Sequence, residues 1–240
     1  MTQAEIATGI DWASLGAQLD VEGYAVVPRV LSDAQVHALT ALCDGASTAH
    51  CVPLASRDLG HGDLIFAAQD VPPCVAALQA NFYEHLAPVA NRWNAILDKP
   101  LRHPPTLNAL LDRNRQAVPL ESRSHFSVLR TGDYQALHQC SDGVQEFPLQ
   151  MVALLSEPGE DFSGGAFVMT EQRPRMQSRP IVLPLRRGDV AVIAVNQRPH
   201  AGTKGPYRVN LKHAISQVHS GRRVGLELLF HDARPAARRV

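Results

Sequence analysis

Phe147-Pro-Leu-Gln-Met-Val-Ala-Leu-Leu155, closed by the turn Glu157-Pro-Gly159, is the stretch on which the fold turns. A short apolar run that ends in a Pro-Gly turn reads as a β-strand. The same signature repeats on both sides of it. Upstream lie His125 to Leu129 and Gln135 to Leu137, divided by Thr131-Gly-Asp133. Downstream lie Gly165 to Thr170, Ile181 to Leu185 and Val190 to Val195, the last two divided by Arg187-Gly-Asp189. Val209 to Leu211, Ala214 to Val218 and Val224 to Phe230 continue the series. Many short strands with regular turn signals predict an all-β sandwich or barrel.

The first half differs in character. Asp11 is placed to cap a helix over 12–19, and Gly23 ends it before a strand at Tyr24 to Val27. Ser32 with Gln35 forms a capping-box pattern ahead of Val36, Leu39 and Leu42 at helical spacing. Cys51 to Asp70, rich in Gly, His and Asp, predicts loops and an irregular hairpin. Pro72-Pro73 opens a long helix through Leu97 with Val75, Leu78, Phe82, Leu86 and Val89 on one stripe, and Pro104-Pro105 opens a shorter one. No repeat or linker divides the halves. The prediction is a single domain over 1–240, α+β and mainly β, with a helical buttress over 1–118 and a double-sheet core over 119–233.

Lys+Arg and Asp+Glu are both 23, so the formal net charge is zero. That balance offers no electrostatic footprint for nucleic acid, whose binding depends on neutralising phosphates. The basic cluster Arg234, Arg238 and Arg239 reads as a solvated tail. Four cysteines at irregular spacing, with no Cys-x-x-Cys pair, predict free thiols. Met1 to Asp11 lacks a signal-peptide pattern, and no run reaches the roughly 18 apolar residues of a membrane span. A cytoplasmic location without a membrane partner is expected, and no oligomer is read from the sequence.

Several segments carry a resemblance. Tyr134-Gln-Ala-Leu-His138, Phe147-Pro-Leu-Gln150, Leu154 to Phe162, Gly164-Gly165, Glu171 to Ser178, Pro184 to Asp189, Tyr207-Arg-Val-Asn210 and Phe230-His-Asp-Ala233 are similar to one bacterial branch of the 2-oxoglutarate/Fe(II) oxygenases. The likeness covers roughly Trp12 to Ala233. It implies a double-stranded β-helix (jelly roll), Fe(II), 2-oxoglutarate and O₂, and a His-x-acid…His triad followed by an Arg that binds the far carboxylate of 2-oxoglutarate. Those roles fall on His138, residue 140, His213 and Arg223. The branch has been labelled as acting on damaged DNA and also resembles enzymes that hydroxylate or halogenate free amino acids.

Physical chemistry stands beside the resemblance. Residues two apart on an extended chain share a face, so positions 138 and 140 can converge on one ion. Iron(II) that binds a bidentate oxo acid and O₂ takes about three protein ligands, and two neutral imidazoles suit it. Arg supplies a planar fork for the distal carboxylate that Lys does not reproduce. Where an acid is expected, however, the chain carries Cys140. Four readings stay open: a thiolate ligand, an open or halide position, Asp142 swinging in as substitute carboxylate, and an inactive site. Tyr134 is a candidate contact for 2-oxoglutarate, and Glu121, Asp142, Asn196, Arg208 and Asn210 are candidate substrate contacts. His200 and His231, in stretches read as a turn and a strand end, form a weaker alternative metal set with His138.

The expected activity is hydroxylation of a C–H bond in a small polar metabolite, an amino acid or derivative. Halogenation at the same iron and a non-catalytic metal-binding jelly roll are the alternatives.

Overall fold

The computed structural model describes residues 9–44, 49–67, 72–117, 121–139, 147–230 and 232–233. Among the described residues, four α-helices lie in the first half of the chain. Helix α1 (Trp12–Glu22) is capped by the Asp11 carboxylate, which accepts from Ser14 N at 3.0 Å, and Gly23 at φ 78° ends it. A residue without Cβ takes that left-handed conformation without strain. Strand β1 (Tyr24–Val27) follows, then α2 (Asp33–Leu42), whose Ser32–Gln35 capping box is closed in both directions. Helix α3 (Pro73–Ile96) buries Val75, Leu78, Phe82, Leu86 and Val89, the stripe expected from spacing. Helix α4 (Leu107–Ala117) completes the set. No helix among the described residues is long and apolar enough to cross a membrane.

Between α2 and α3 the chain is more regular than its composition suggests. Strands β2 (Ala49–Pro53), β3 (Gly60–His61) and β4 (Asp63–Ala67) are each sewn into a larger sheet. The remaining strands are β5 (Glu121–Ser122), β6 (His125–Arg130), β7 (Tyr134–His138), β8 (Leu149–Leu154), β9 (Phe162–Gly164) and β10 (Phe167–Gln172). They continue as β11 (Arg179–Leu183), β12 (Val190–Ala194), β13 (Gln197–Gly202), β14 (Gly205–Ile215), β15 (Val218–Leu229) and β16 (Asp232–Ala233). The stretch around His200, read from sequence as a turn, is strand β13. It pairs with β14 along its length, with His200 opposite Tyr207.

Two antiparallel sheets form the β core. The larger, with eight strands, runs β1-β12-β8-β15-β6-β4-β2, with β9 on the near end of β15. The smaller, with six, runs β11-β10-β14-β7-β3, with β13 on β14. Strand β15 is buried along 224–229, but its two faces differ. Val224, Leu226 and Leu228 belong to the hydrophobic core. Arg223 and Glu227, on the alternate face, are polar and buried nonetheless. A strand sends successive side chains to opposite faces, so this second face turns a polar strip inward.

Candidate metal and co-substrate site

The first pair of site residues is set by strand register. His213 on β14 lies directly opposite His138 at the end of β7. Their rings are 4.3 Å apart between centroids. The His138 Nδ1–H donates to the Ala136 carbonyl at 2.9 Å, so Nε2 keeps its lone pair for a ligand role. Such a clamp on the far nitrogen is how proteins orient metal-binding histidines. Burial, reinforced by His213, pulls the His138 imidazole down to about 4, which keeps it neutral at physiological pH. The Phe167 ring lies nearly parallel to His213, with centroids 5.7 Å apart, and fixes that imidazole from one side.

A bulge decides which neighbours join them. Between Ile215 and His213 on β14 there are two steps, whereas the paired residues Gln135 and His138 on β7 are three apart. One extra residue on a strand reverses the parity of everything before it. Gln135 is therefore the buried neighbour of His138, its amide nitrogen 3.4 Å from Nε2. Tyr134 is 38% exposed and packs edge-on against His61. Alternation from Gln135 turns Tyr134, expected to contact 2-oxoglutarate, toward the surface on the face of β7 away from His138.

Parity also places two substrate candidates. Along β14, Val209, Leu211 and His213 are buried while Arg208, Asn210 and Lys212 are exposed. Arg208 and Asn210 stand at odd separations from His213 and so lie on the opposite face of the sheet. Asn196 is half-buried between β12 and β13, where its carbonyl accepts from Leu211 N at 2.6 Å and from Gln139 Nε2 at 3.3 Å. Cys140, Asp142 and His231 lie outside the described residues, as does the side chain of Glu121.

Arg223 occupies the facing sheet, opposite Leu129 of β6. It is 3% exposed and its Nε donates to the Gly165 carbonyl at 2.8 Å. Its Nη1 is buried without a hydrogen-bond partner among the described residues. Gly225 makes room for it, since a Cβ there would sit 3.0 Å from that nitrogen and 2.9 Å from Ser127 Oγ. Burial pulls the guanidinium down to about 10, opposed by Glu227, and it stays charged at neutral pH. Arg223 borders a cavity of about 190 Å³ walled by Leu154, Phe162, Phe167, Leu183 and Leu185. A buried cation with an unused donor on an apolar cavity is arranged to take an anion.

Sequence reading passed over three further residues. Glu227 stands opposite His125 in the β15–β6 register, and both are buried. The Glu227 carboxylate lies 3.8 Å from His213 Nε2 and 3.7 Å from His125 Nε2, and accepts from Gln150 Nε2 at 3.3 Å. Burial would raise its proton affinity, but His125 and His213 outweigh that and hold it well below the usual carboxylate range. A lone Glu inside the apolar run Val224 to Phe230 was the available signal. As placed, no three His, Cys, Asp or Glu side chains among the described residues already close on one point.

The model of the Oxygenase-NA family, described as an oxygenase catalysing oxidative methylation of damaged DNA, matches residues 62–233. The chain belongs to this family. Two uncharacterised Mycobacterium tuberculosis proteins, from strains CDC 1551 / Oshkosh and H37Rv, are each 34% identical over 171 residues, covering 69% of this chain and 73% of theirs.

Solved structures place this oxygenase among the jelly-roll enzymes. A prolyl-4-hydroxylase from Pseudomonas putida superposes with a TM-score of 0.53 at 14% identity, covering 93% of this chain and all (100%) of that one. A 2-oxoglutarate–Fe(II) oxygenase-family oxidoreductase from Burkholderia pseudomallei gives 0.53 at 15%, covering 98% and 97%. The 2-oxoglutarate-dependent carbocyclase SnoK of nogalamycin biosynthesis also gives 0.53 at 15%, covering 97% and 89%. At these identities the likeness is one of fold. The family description makes this chain an oxygenase, and the solved structures share its fold.

Proposed function

We propose that this oxygenase hydroxylates a C–H bond of a small polar metabolite, an amino acid or derivative. In this reading His138 and His213 hold Fe(II), Cys140 lies at the third position, and Arg223 holds the distal carboxylate of 2-oxoglutarate. The observation that carries it is Arg223 itself, a buried cation in the sheet that faces the two histidines, which borders an apolar cavity and whose Nη1 has no hydrogen-bond partner among the described residues. When bound, Fe(II) and 2-oxoglutarate supply the oxidising power: O₂ is consumed, succinate and CO₂ leave, and the substrate gains a hydroxyl.

The chain's own residues do the rest. The Ala136 carbonyl fixes the tautomer of His138, and the low basicity of that imidazole keeps its lone pair available. Arg223 is pre-aimed by its bond to Gly165 and pays little ordering entropy when it captures an anion. Leu154, Phe162, Leu183 and Leu185 exclude water around that charge pair, which strengthens it. The balanced charge of 23 basic and 23 acidic residues favours a small substrate over the damaged DNA named in the family description.

Anaerobic titration of 2-oxoglutarate into the Fe(II)-loaded protein tests the reading. A visible metal-to-ligand charge-transfer band is expected, and Arg223→Leu should weaken 2-oxoglutarate binding by roughly thirtyfold or more, about 2 kcal/mol. Succinate release is then compared across amino acids and alkylated oligonucleotides. Turnover on the oligonucleotides alone sinks the metabolite assignment, and chlorinated product in chloride buffer replaces hydroxylation with halogenation.

A further inference from the structure

We infer that Ser127 is the second donor to the carboxylate that Arg223 holds, and that Gly225 opens the space between the two. The inference rests on the co-substrate site proposed above and names the residues that set its preference among 2-oxo acids.

Register brings the three residues together. Arg223, Gly225 and Glu227 share one face of β15, and directly opposite them on β6 stand Leu129, Ser127 and His125. Opposed residues of an antiparallel pair lie on the same face, so the Ser127 hydroxyl belongs to the inward polar strip. It is 1% exposed, within a strand that is buried from His125 to Leu129. Its ladder partner, Gly225, is the position of that strip without a side chain. A Cβ on residue 225 would stand 2.9 Å from Ser127 Oγ and 3.0 Å from Arg223 Nη1. Two donors from different strands thus converge on one point, and glycine keeps that point clear of protein.

Ser127, Gly225 and Arg223 line one cavity of about 10 Å³, closed by Val152, Phe167 and Ile215. That is room for roughly one oxygen atom. Glu227 borders the same space and lies 3.8 Å from His213 Nε2, so the space sits between Arg223 and the histidine pair. The Glu227 charge opposes a carboxylate that enters, and it offsets part of the attraction of the guanidinium. A hydroxyl adds a donor there without adding a charge to be buried. A 2-oxo acid with a distal carboxylate can use both donors, whereas one without it leaves both unused.

The test is isothermal titration under nitrogen of 2-oxoglutarate, and of 2-oxobutyrate, which lacks the distal carboxylate, into the Fe(II)-loaded full-length protein. Ser127→Ala should weaken 2-oxoglutarate binding by roughly tenfold and change 2-oxobutyrate binding by less than about threefold. Gly225→Ala should weaken 2-oxoglutarate binding by about tenfold or more, since its methyl group takes the shared space. In an Arg223→Leu background, Ser127→Ala should cost less than about threefold further, because two donors to one carboxylate are coupled. Circular dichroism and the urea midpoint report whether each variant folds.

Wild-type affinity for 2-oxoglutarate in folded Ser127→Ala or folded Gly225→Ala overturns the inference. So does an equal loss of both oxo acids in Ser127→Ala, the mark of a residue that only packs, or an undiminished further loss in the Arg223→Leu background. If Arg223→Leu itself binds 2-oxoglutarate as wild type does, the co-substrate site fails, which is a different failure from one confined to Ser127.

Discussion

Two buried arginine–glutamate systems lie in this molecule, and they are built to opposite ends. Arg198 on β13 is completely buried, yet its Nη1 donates to the Asp20 and Pro199 carbonyls at 3.0 and 3.1 Å. Its Nη2 donates to the Val21 carbonyl at 2.9 Å and to Glu171. Glu171 also accepts from Arg173 at 2.8 Å. Arg223 makes one hydrogen bond, to Gly165, and its Nη1 has no partner among the described residues. Glu227 Oε1 likewise has no hydrogen bond within normal length among the described residues, His125 Nε2 lying 3.7 Å away. Similar residues in similar burial thus separate by what completes them. The first pair is closed by the chain except at Arg198 Nε and ties α1 to the smaller sheet, whereas the second leaves Arg223 Nη1 and Glu227 Oε1 without a hydrogen bond among the described residues.

Stability measurements break or sharpen this contrast most directly. Arg198→Met removes the buried partner of Glu171, leaving it Arg173 alone, and leaves three backbone carbonyls without their donor. The expected loss is about 3–5 kcal/mol in urea unfolding. Arg223→Met removes a buried cation that nothing in the metal-free protein neutralises closely. It should cost less than about 1 kcal/mol, or stabilise. Equal losses from the two substitutions would erase the distinction between a structural pair and a ligand site.

Acid provides the next largest effect, again in the metal-free protein. Burial and His213 lower His138 from its ordinary 6.5 to about 4, so between those values the unfolded chain binds the proton and the folded one does not. Stability from this group is full above about 6.5 and is lost as pH falls toward about 4, on the order of 3 kcal/mol. Glu227, held well below the usual range, adds a second loss at lower pH still, as its carboxylate is forced to protonate. Urea midpoints followed from pH 7.5 downward should therefore decline in wild type, and His138→Asn should flatten the first part of the decline. An identical slope in the variant would move the titration elsewhere.

How far the sequence disclosed this arrangement depends on the range of the interaction. Strands β6, β8, β12 and β15 are legible because alternation and turn residues are local signals, and the spacing of His213 and Arg223 within one run is local too. Strand β13, at Pro199-His200, and strands β2 and β3, among Gly, His and Asp, are poor in strand-forming residues; pairing with neighbours overrides their propensity. The outward placement of Tyr134 was not legible because the β7 bulge is set by pairing with β14 and leaves no mark in five residues of sequence. Arg208 and Asn210 are a different lesson: their odd separation from His213 already pointed them to the other face. Glu227 shares parity with Arg223 and was visible as a charge in an apolar strand, but its partners His125 and His213 come from pairings that only the fold supplies.

The smallest effect is expected on the outer face of β14, where the contrast between closed and open polar groups disappears into solvent. Arg208 is exposed, and exposed Asn210 accepts one hydrogen bond from Gln197 Nε2 at 3.2 Å. Water replaces such a partner at little cost, so Arg208→Ala and Asn210→Ala should each shift the urea midpoint by less than about 0.5 kcal/mol. Affinities for 2-oxoglutarate and metal should stay unchanged, because Val209, Leu211 and His213 hold the inner face independently of the outer one. The informative exception is a fall in turnover at unchanged 2-oxoglutarate affinity. That result would place the substrate against the outer surface of β14, and the polar strip between the sheets would then serve the metal and its co-substrate alone.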